Sequence, residues 1–275
     1  MRTDTLKRRL RFAPPAPTKN DNVVPQGADL AQWEAISRHG PLPITYLKHF
    51  GGRQYYPNLQ RRYTRFFHTG WVSRPPRQFA SFHARYSPLV YDLTPKAIAA
   101  LGERACPLAP SRSAPFVHQL MQACVTASLE IRFGDDFIPR DQLLDAPTLA
   151  IDLGSSRIIP DDAFALRLPE GKKRFFLLEV DRNTESIERK SGGYNTWSKK
   201  AADYDRLFSG ELKRAWGIPR ATVLVVTTNE RHLENIKTYV KQNSRYADRW
   251  QYALADTFGP NWRVPKDLLT TIEPV

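Results

Sequence analysis

The chain has 275 residues, of which 41 % are hydrophobic and 11 % aromatic. That length allows two modest domains, each with its own core, and the composition excludes a chain that is disordered over most of its length. No apolar run approaches the roughly 20 residues needed to span a bilayer. The basic N-terminus also lacks the apolar stretch of a secretory signal. We therefore expect a cytoplasmic protein with no membrane partner.

The net charge of +13 is unevenly distributed along the chain. Residues 1–110 hold 17 Lys and Arg against 6 Asp and Glu, whereas residues 111–275 hold 24 against 22. A basic segment beside a near-neutral one indicates a polyanionic partner, because each neutralised phosphate releases a counterion. The alternative is a basic surface that only keeps the protein soluble.

The first 104 residues show the pattern of a basic arm followed by three helices and a hairpin. Residues 1–28 combine basic and proline residues, which predicts a flexible arm. Residues 29–39 place Leu30, Trp33 and Ile36 on one helical face, behind Asp29 as a helix cap. A short apolar segment follows at residues 44–50, and a third helix is predicted from Pro57 to a stop at Gly70.

A predicted hairpin completes this region. A strand starts at Trp71, a long basic loop follows, and residues 89–94 return as a second strand before a helix at residues 95–103. Three helices followed by a basic hairpin is the order of a winged helix-turn-helix, which we assign to residues 29–104.

The third helix is the predicted reading element. In a helix-turn-helix it enters the major groove, where Arg bonds guanine and Gln bonds adenine. The candidates on its basic face are Gln60, Arg61, Arg62 and Arg65. Contacts to phosphate or to the minor groove are expected from Arg74, Arg77, His83 and Arg85 in the wing and from Lys7, Arg8, Arg9 and Arg11 in the arm. The alternative is a solvated basic face of a protein-interaction domain.

Beyond a Pro- and Ser-rich linker at residues 105–115, the pattern changes to that of an α/β domain covering residues 116–275. It predicts a helix at residues 116–133, strands at 157–168 and 174–182, a helix at 198–215, a buried strand at 221–228 and a helix at 233–242. The expected fold class is therefore α+β, with a winged helix followed by an α/β domain around a central mixed sheet. No Gly-rich phosphate loop is present, so no nucleotide cofactor is expected.

Three carboxylates form the second candidate site. Asp161 precedes, by a short turn, the strand that carries Glu179 and Asp181, whose side chains share a face because they are two residues apart. Carboxylates at the end of apolar strands are costly to cluster without a cation, and such hard oxygen ligands suit Mg²⁺. Beside a DNA-binding domain, this cluster suggests metal-assisted phosphodiester cleavage.

The motifs IIPDDAF (158–164), FFLLEVDRNTES (175–186) and KKAADY (199–204) carry a family resemblance. The first two resemble the PD-(D/E)xK restriction-endonuclease-like motif. From about residue 30 to 245 the chain is similar to the replication-relaxation family of plasmids and other mobile elements. This resemblance implies a DNA-binding domain, a nuclease-like domain and a similarity to relaxases of one mobilisation class.

The chain departs from the nuclease motif two residues after Glu179, where Asp181 replaces the expected lysine. Lys200 is the best replacement, since it lies on the following helix one turn before Tyr204. A lysine there can orient or activate water, and the alternatives are Lys199 and Lys190. Glu130 is a candidate for a further acidic ligand. In the alternative interpretation, Glu179 and Asp181 pair with Arg182, Arg189 or Lys200 in a purely structural network.

The histidine and tyrosine residues argue against a histidine metal site and against a covalent tyrosine intermediate. His118 is interpreted as a core or surface residue, since no second His lies at helical spacing. Scattered histidines also argue against covalent phosphotyrosine chemistry. Tyr204 is therefore interpreted as a packing or phosphate-contact residue. An exposed loop at residues 189–200 is expected to follow the DNA backbone, with Tyr194 or Trp197 stacking on a base.

Two functions follow from these patterns. The first is a sequence-specific protein that binds double-stranded DNA at a replication or transfer origin of a mobile element or phage, with Mg²⁺-dependent nicking by Asp161, Glu179, Asp181 and Lys200. The alternative is a non-enzymatic transcription regulator, whose nuclease-like domain serves dimerisation or partner binding. The absent in-motif lysine favours the regulator, and the three carboxylates favour the enzyme. A homodimer on a palindromic site is a further expectation, although no heptad identifies its interface.

Overall fold

The computed structural model describes residues 23–52, 55–79, 88–108, 115–146, 148–182, 185–188 and 196–255. Several predicted DNA contacts lie outside these ranges, namely Lys7, Arg8, Arg9, Arg11, His83 and Arg85, as do Arg189, Lys190 and Tyr194 of the predicted backbone-following loop. Within the described ranges, no helix is both long and apolar enough to cross a membrane. The chain divides between Ile131 and Arg132 into two units.

The first unit begins with helices and short strands in alternation. The elements are α1 (Gly27–His39), β1 (Leu42–Pro43), α2 (Ile44–Leu47), α3 (Tyr56–His68), β2 (Val72–Ser73), β3 (Val90–Leu93), α4 (Pro95–Leu101) and α5 (Phe116–Phe133). The strands form an antiparallel sheet in which β3 lies between β1 and β2. The predicted helices and hairpin strands of this region are therefore present, and a short first strand precedes α2.

Aromatic packing holds the first unit together. The Trp33 ring of α1 lies edge-on to Phe66 of α3, with ring centroids 5.2 Å apart, and Tyr63 contacts Tyr91 of β3 at 5.0 Å. All four side chains are essentially buried. Large apolar side chains recur on one face of α3, so burying that face fixes the opposite face towards solvent.

Helix α5 packs with the first unit. Its residues Leu120, Ala123, Cys124 and Ala127 belong to the same buried core as Trp33. The sequence predicts this helix in the second domain, after a linker at residues 105–115, whereas the division in the structure falls at its C-terminal end. The difference has a packing cause, since α5 is buried on more than one face and its apolar surface joins the core of the first unit.

The second unit is built on a five-stranded sheet. Its elements are β4 (Phe137–Pro139), α6 (Arg140–Leu143), β5 (Ile151–Asp152), β6 (Arg157–Ile158), β7 (Asp162–Arg167), β8 (Lys173–Asp181), α7 (Trp197–Arg206), α8 (Leu212–Trp216), β9 (Thr222–Thr227), α9 (Glu230–Asn243) and β10 (Trp250–Leu254). The strand order is β10-β9-β8-β7-β4, and β5 pairs with β6 separately. The pairs on the β10 side are parallel, whereas β7 is antiparallel to both β8 and β4.

This arrangement confirms the predicted α+β class with a central mixed sheet. The strands β8 and β9 are fully buried along most of their length, as their apolar runs predict. Across β7 and β8, the Phe164 and Phe176 rings stack with centroids 4.9 Å apart. The core therefore lies on both sides of β8, which carries the predicted carboxylates at its C-terminal end.

Two predicted elements are interrupted in the structure. The strand predicted at residues 157–168 is split into β6 and β7 by a turn at residues 159–161. The helix predicted at residues 198–215 is divided into α7 and α8 by a wider turn at residues 207–211, where Gly210 has φ 143°. A side chain at that φ would be strained, so glycine permits this break.

Candidate functional sites

The outer face of α3 presents three of the predicted reading residues. Gln60, Arg61 and Arg65 are exposed, whereas Leu59 and Tyr63 on the opposite face are buried. The Arg61 guanidinium donates a hydrogen bond to the side-chain oxygen of Asn58, one turn earlier. This face therefore offers polar donors to a ligand, while its backbone position is fixed by the core below it.

Arg62, the fourth predicted reading residue, is held inside the unit. Its Nε donates to Oδ1 of Asp29 at 2.5 Å, and its Nη2 donates to the Val24 carbonyl at 3.1 Å. Asp29 is 1 % exposed and also accepts the backbone N–H of Gln26 at 2.7 Å. Arg62 thus links α3 to the start of α1. Asp29, predicted as the helix cap, instead lies in the first turn of α1, and Gln26 is the N-cap residue.

Arg74 is also engaged within the fold rather than presented as a wing residue. It is 9 % exposed, its guanidinium carbon lies 4.1 Å from the Phe67 ring centroid, and its Nη2 donates to the Tyr91 hydroxyl at 3.2 Å. Stacking on an aromatic face stabilises a cation that is largely removed from water. Arg77 follows on a short turn and is exposed.

Glu130, considered as a further acidic ligand, is bound by Arg38 and His39 of the first unit. His39 Nε2 and Arg38 Nη1 lie 2.7 and 2.5 Å from its two carboxylate oxygens. Burial works against the charged carboxylate, but these hydrogen bonds and charges outweigh it and lower the pKa of Glu130 to about 2. Glu130 therefore has a structural role, because these contacts join α1 to α5.

In the second unit, strand pairing brings the PD element beside the Glu-containing strand. The Asp161 backbone N–H donates to the Leu178 carbonyl at 2.9 Å. The Asp161 carboxylate in turn accepts the N–H of Val180 at 2.7 Å. Because Val180 lies between Glu179 and Asp181, the three predicted carboxylates lie around the same end of β8.

Lys200 meets Glu179, as the migrated-lysine interpretation requires. Lys200 Nζ donates to Glu179 Oε2 at 2.7 Å, and the Tyr204 hydroxyl donates to Glu179 Oε1 at 2.6 Å. Lys200 and Tyr204 are one turn apart on α7, so one helix supplies both donors. Lys200 also pairs with Glu185 at 2.8 Å, a residue that the sequence analysis did not single out.

Burial and neighbouring charges together shift the pKa values of this cluster. Burial raises the pKa of Glu179, Lys200 opposes that shift, and the negative charge of Asp161 adds to it. For Lys200, burial works against the ammonium, but Glu179, Glu185 and Asp161 outweigh it and raise the pKa, so the lysine stays protonated. Burial also raises the pKa of Tyr204, which keeps its hydroxyl a donor.

Asp181 has different partners. Its Oδ2 accepts a hydrogen bond from Trp197 Nε1 at 2.9 Å and lies 2.7 Å from His232 Nε2. Trp197 is fully buried at the start of α7, so it is not available to stack on a base as predicted. His232 was not identified from the sequence because it is 51 residues from Asp181. Lys199, one of the alternative lysines, pairs with Asp203 at 2.7 Å.

The predicted Mg²⁺ site can be compared with this geometry. Carboxylate oxygens suit Mg²⁺ chemically, but here Asp161, Glu179 and Asp181 each accept hydrogen bonds from the protein. Across the described ranges, no three His, Cys, Asp or Glu side chains are grouped so that they hold one metal ion. As they stand, the residues do not fit a bound Mg²⁺, and the metal stays a prediction.

Comparison with known proteins places the chain in a family. A family model described as replication-relaxation matches residues 34–220, which is more than half of the chain and includes α3, Asp161, Glu179 and Lys200. No curated protein and no solved structure matches. The family connects the chain with replication and with the processing of mobile-element DNA, and it implies an interaction with DNA. The chain belongs to the replication-relaxation family.

Proposed function

We propose that this protein binds double-stranded DNA sequence-specifically at a replication or transfer origin of a mobile element, using the first unit as a winged helix. The observation that carries the proposal is the order helix, strand, helix, helix, strand, strand, with β3 between β1 and β2. In that arrangement α3 is the helix that enters the major groove. Its outward side chains are the polar ones, Gln60, Arg61 and Arg65.

The chemistry of this face fits base recognition. Arg reads guanine through two hydrogen bonds and Gln reads adenine, each good pair contributing about 1–3 kcal/mol of discrimination. Arg61 is already held by Asn58, which restricts its side chain before binding. Arg77 is exposed on the neighbouring turn, so it is proposed as a phosphate contact together with Lys7, Arg8, Arg9 and Arg85.

Specific binding predicts a preferred sequence and a strong salt dependence. We expect selection from a random duplex pool to converge on one site, and affinity for that site to exceed affinity for its scrambled version by about 1,000-fold or more. The affinity for both duplexes is expected to fall as salt rises. A pool that does not converge, with equal affinity for the selected and scrambled duplexes, would show that the protein does not read sequence.

The second candidate function is Mg²⁺-dependent DNA nicking by the second unit. It is favoured by one observation, the meeting of Asp161, Glu179 and Lys200 around the end of β8. Binding of Mg²⁺ by the two carboxylates would require Lys200 to move away from Glu179. If Lys200 stays bound to Glu179, the non-enzymatic alternative is favoured, in which the second unit serves dimerisation or partner binding.

Plasmid nicking separates these two possibilities. If the second unit is a nuclease, the protein with Mg²⁺ or Mn²⁺ converts a supercoiled plasmid carrying the selected site to the open circle. Glu179→Gln is expected to lower that rate by at least about 100-fold, as for removal of a principal electrostatic group. Glu234→Gln, at an exposed glutamate of α9, is the matched control and should leave the rate unchanged. Binding without nicking by the unaltered protein would exclude the enzyme.

A further inference from the structure

Charge within the second unit is segregated. Residues 132–257 hold 21 Lys and Arg against 19 Asp and Glu, so the unit is nearly neutral as a whole. Two short segments depart from this balance, since residues 167–174 and 213–220 together hold seven Lys and Arg and one Glu. The remainder of the unit therefore carries a net negative charge, and the positive charge is concentrated in these two segments.

Strand pairing brings the two segments to the same end of the sheet. Arg167 at the end of β7 is paired with Lys173 at the start of β8. On the other side of β8, Phe176 is paired in parallel with Thr222 of β9. Residues 174 and 220 each lie two positions before that pair, Arg174 within β8 and Arg220 in the segment just before β9 begins. Basic residues thus extend across the end of three neighbouring strands.

These cations are only partly balanced. Lys172 pairs with Glu170 at 2.9 Å, Arg220 pairs with Asp248 at 3.3 Å, and Arg214 pairs with Glu211. Counting these three acids leaves a net charge of +4 on the set. In each pair at least one of the two side chains is exposed to solvent, so these ion pairs contribute little to the stability of the fold. Burial lowers the pKa of Arg174 and the nearby Arg220 lowers it further, so the two guanidinium groups repel each other.

We propose that this end of the sheet, formed by Arg167, Lys173, Arg174 and Arg220, is a second DNA-binding surface that contacts the phosphate backbone without reading sequence. Arg167, Lys173 and Arg220 are exposed, as such contacts require. A phosphate backbone would offset the repulsion between Arg174 and Arg220 and would release its counterions on binding. The surface lies at the opposite end of β8 from Glu179 and Asp181, eight residues or about 26 Å from Lys173 to Asp181.

The test compares two double variants of the full chain that change charge equally. Lys173→Glu with Arg220→Glu removes two of the proposed contacts, whereas Arg231→Glu with Lys237→Glu alters two exposed cations of α9. The probe is a scrambled duplex, so that only sequence-independent binding is measured. We expect the first variant to reduce the slope of log affinity against log salt by about 2. Its affinity at low salt should fall by about tenfold or more, and the α9 variant should match the unaltered protein.

The outcomes distinguish this surface from other interpretations. Equal slopes of log DNA affinity against log salt for the two variants would overturn the proposal. So would a Lys173→Glu, Arg220→Glu variant that binds DNA normally but no longer binds vesicles of acidic phospholipid. Circular dichroism of both variants checks that the fold is intact. If the Lys173→Glu, Arg220→Glu variant does not fold, Lys173→Gln with Arg220→Gln removes the same two charges without reversing them. Selectivity for the preferred duplex over the scrambled one tests α3 separately, so this surface can fail while the proposed function stands.

Discussion

Reversing the charges of Arg61 and Arg65 together is expected to lower affinity for the preferred duplex by about 100-fold or more, because two base contacts of about 1–3 kcal/mol each are lost. Both side chains are exposed on α3, and neither forms part of the buried core. The new carboxylates also face the phosphate backbone, which adds repulsion. Titration of a labelled duplex with the Arg61→Glu, Arg65→Glu variant measures the effect.

Two comparisons make that result specific. Arg231→Glu with Lys237→Glu gives the same change in net charge on the second unit, and it should retain selectivity for the preferred duplex. Arg62→Met should instead lower stability, because it leaves Asp29 buried without its guanidinium partner. If the Arg61 and Arg65 reversal bound the preferred duplex as tightly as the unaltered protein, α3 would not be the reading helix.

Replacing Lys200 with methionine is expected to destabilise the second unit by about 3 kcal/mol, the range found when one partner of a buried ion pair is removed. Glu179 is 3 % exposed, and without Lys200 it keeps Tyr204 as a donor but loses the nearby positive charge. The carboxylate must then be protonated or remain buried as an unbalanced charge. Urea denaturation of the full chain, followed by Trp fluorescence and by hydrogen exchange of the β8 amides, measures the loss.

Lys199 provides the matched control for Lys200. It is the preceding residue on the same helix and also pairs with a carboxylate, but its side chain is 42 % exposed. Lys199→Met is therefore expected to cost less stability than Lys200→Met, because the Lys199 ammonium is largely solvated and Asp203 keeps the Ser156 hydroxyl as a donor. Replacing Glu179 by Leu together with Lys200→Met should cost less than Lys200→Met alone, since the buried Glu179 carboxylate is then absent and only the partly exposed Glu185 loses its partner. Equal losses for Lys199→Met and Lys200→Met would show that the buried pair is not a stabilising element.

Local patterns were sufficient to predict most helices and strands. The apolar spacing of Leu59, Tyr63 and Phe66 identified α3 and its exposed face, because a helix buries one stripe of side chains. The apolar run before Glu179 identified β8, because a strand covered on both faces is apolar throughout. Lys200 was selected from its position one turn before Tyr204, and the structure brings both residues to Glu179.

What could not be predicted depends on partners distant in sequence. Arg62 lies on the basic side of α3 in a helical projection, but Asp29, 33 residues earlier, draws it into the unit. Arg74 is flanked by residues typical of a loop, and only the fold places Phe67 beneath its guanidinium. His232 reaches Asp181 because α9 packs near the end of β8. Likewise, a Pro- and Ser-rich segment marks a loop but does not show which core α5 joins.

The central claim is that α3 reads the base sequence, and the most direct measurement is a comparison of the sequences selected by two proteins. Random duplexes are selected with the unaltered protein and with Arg61→Ala, at the same salt concentration. The variant is expected to lose its preference at one or two adjacent base pairs and to keep the preference elsewhere, because one side chain reads a local set of base edges. An unchanged preference at every position of the selected site would contradict it.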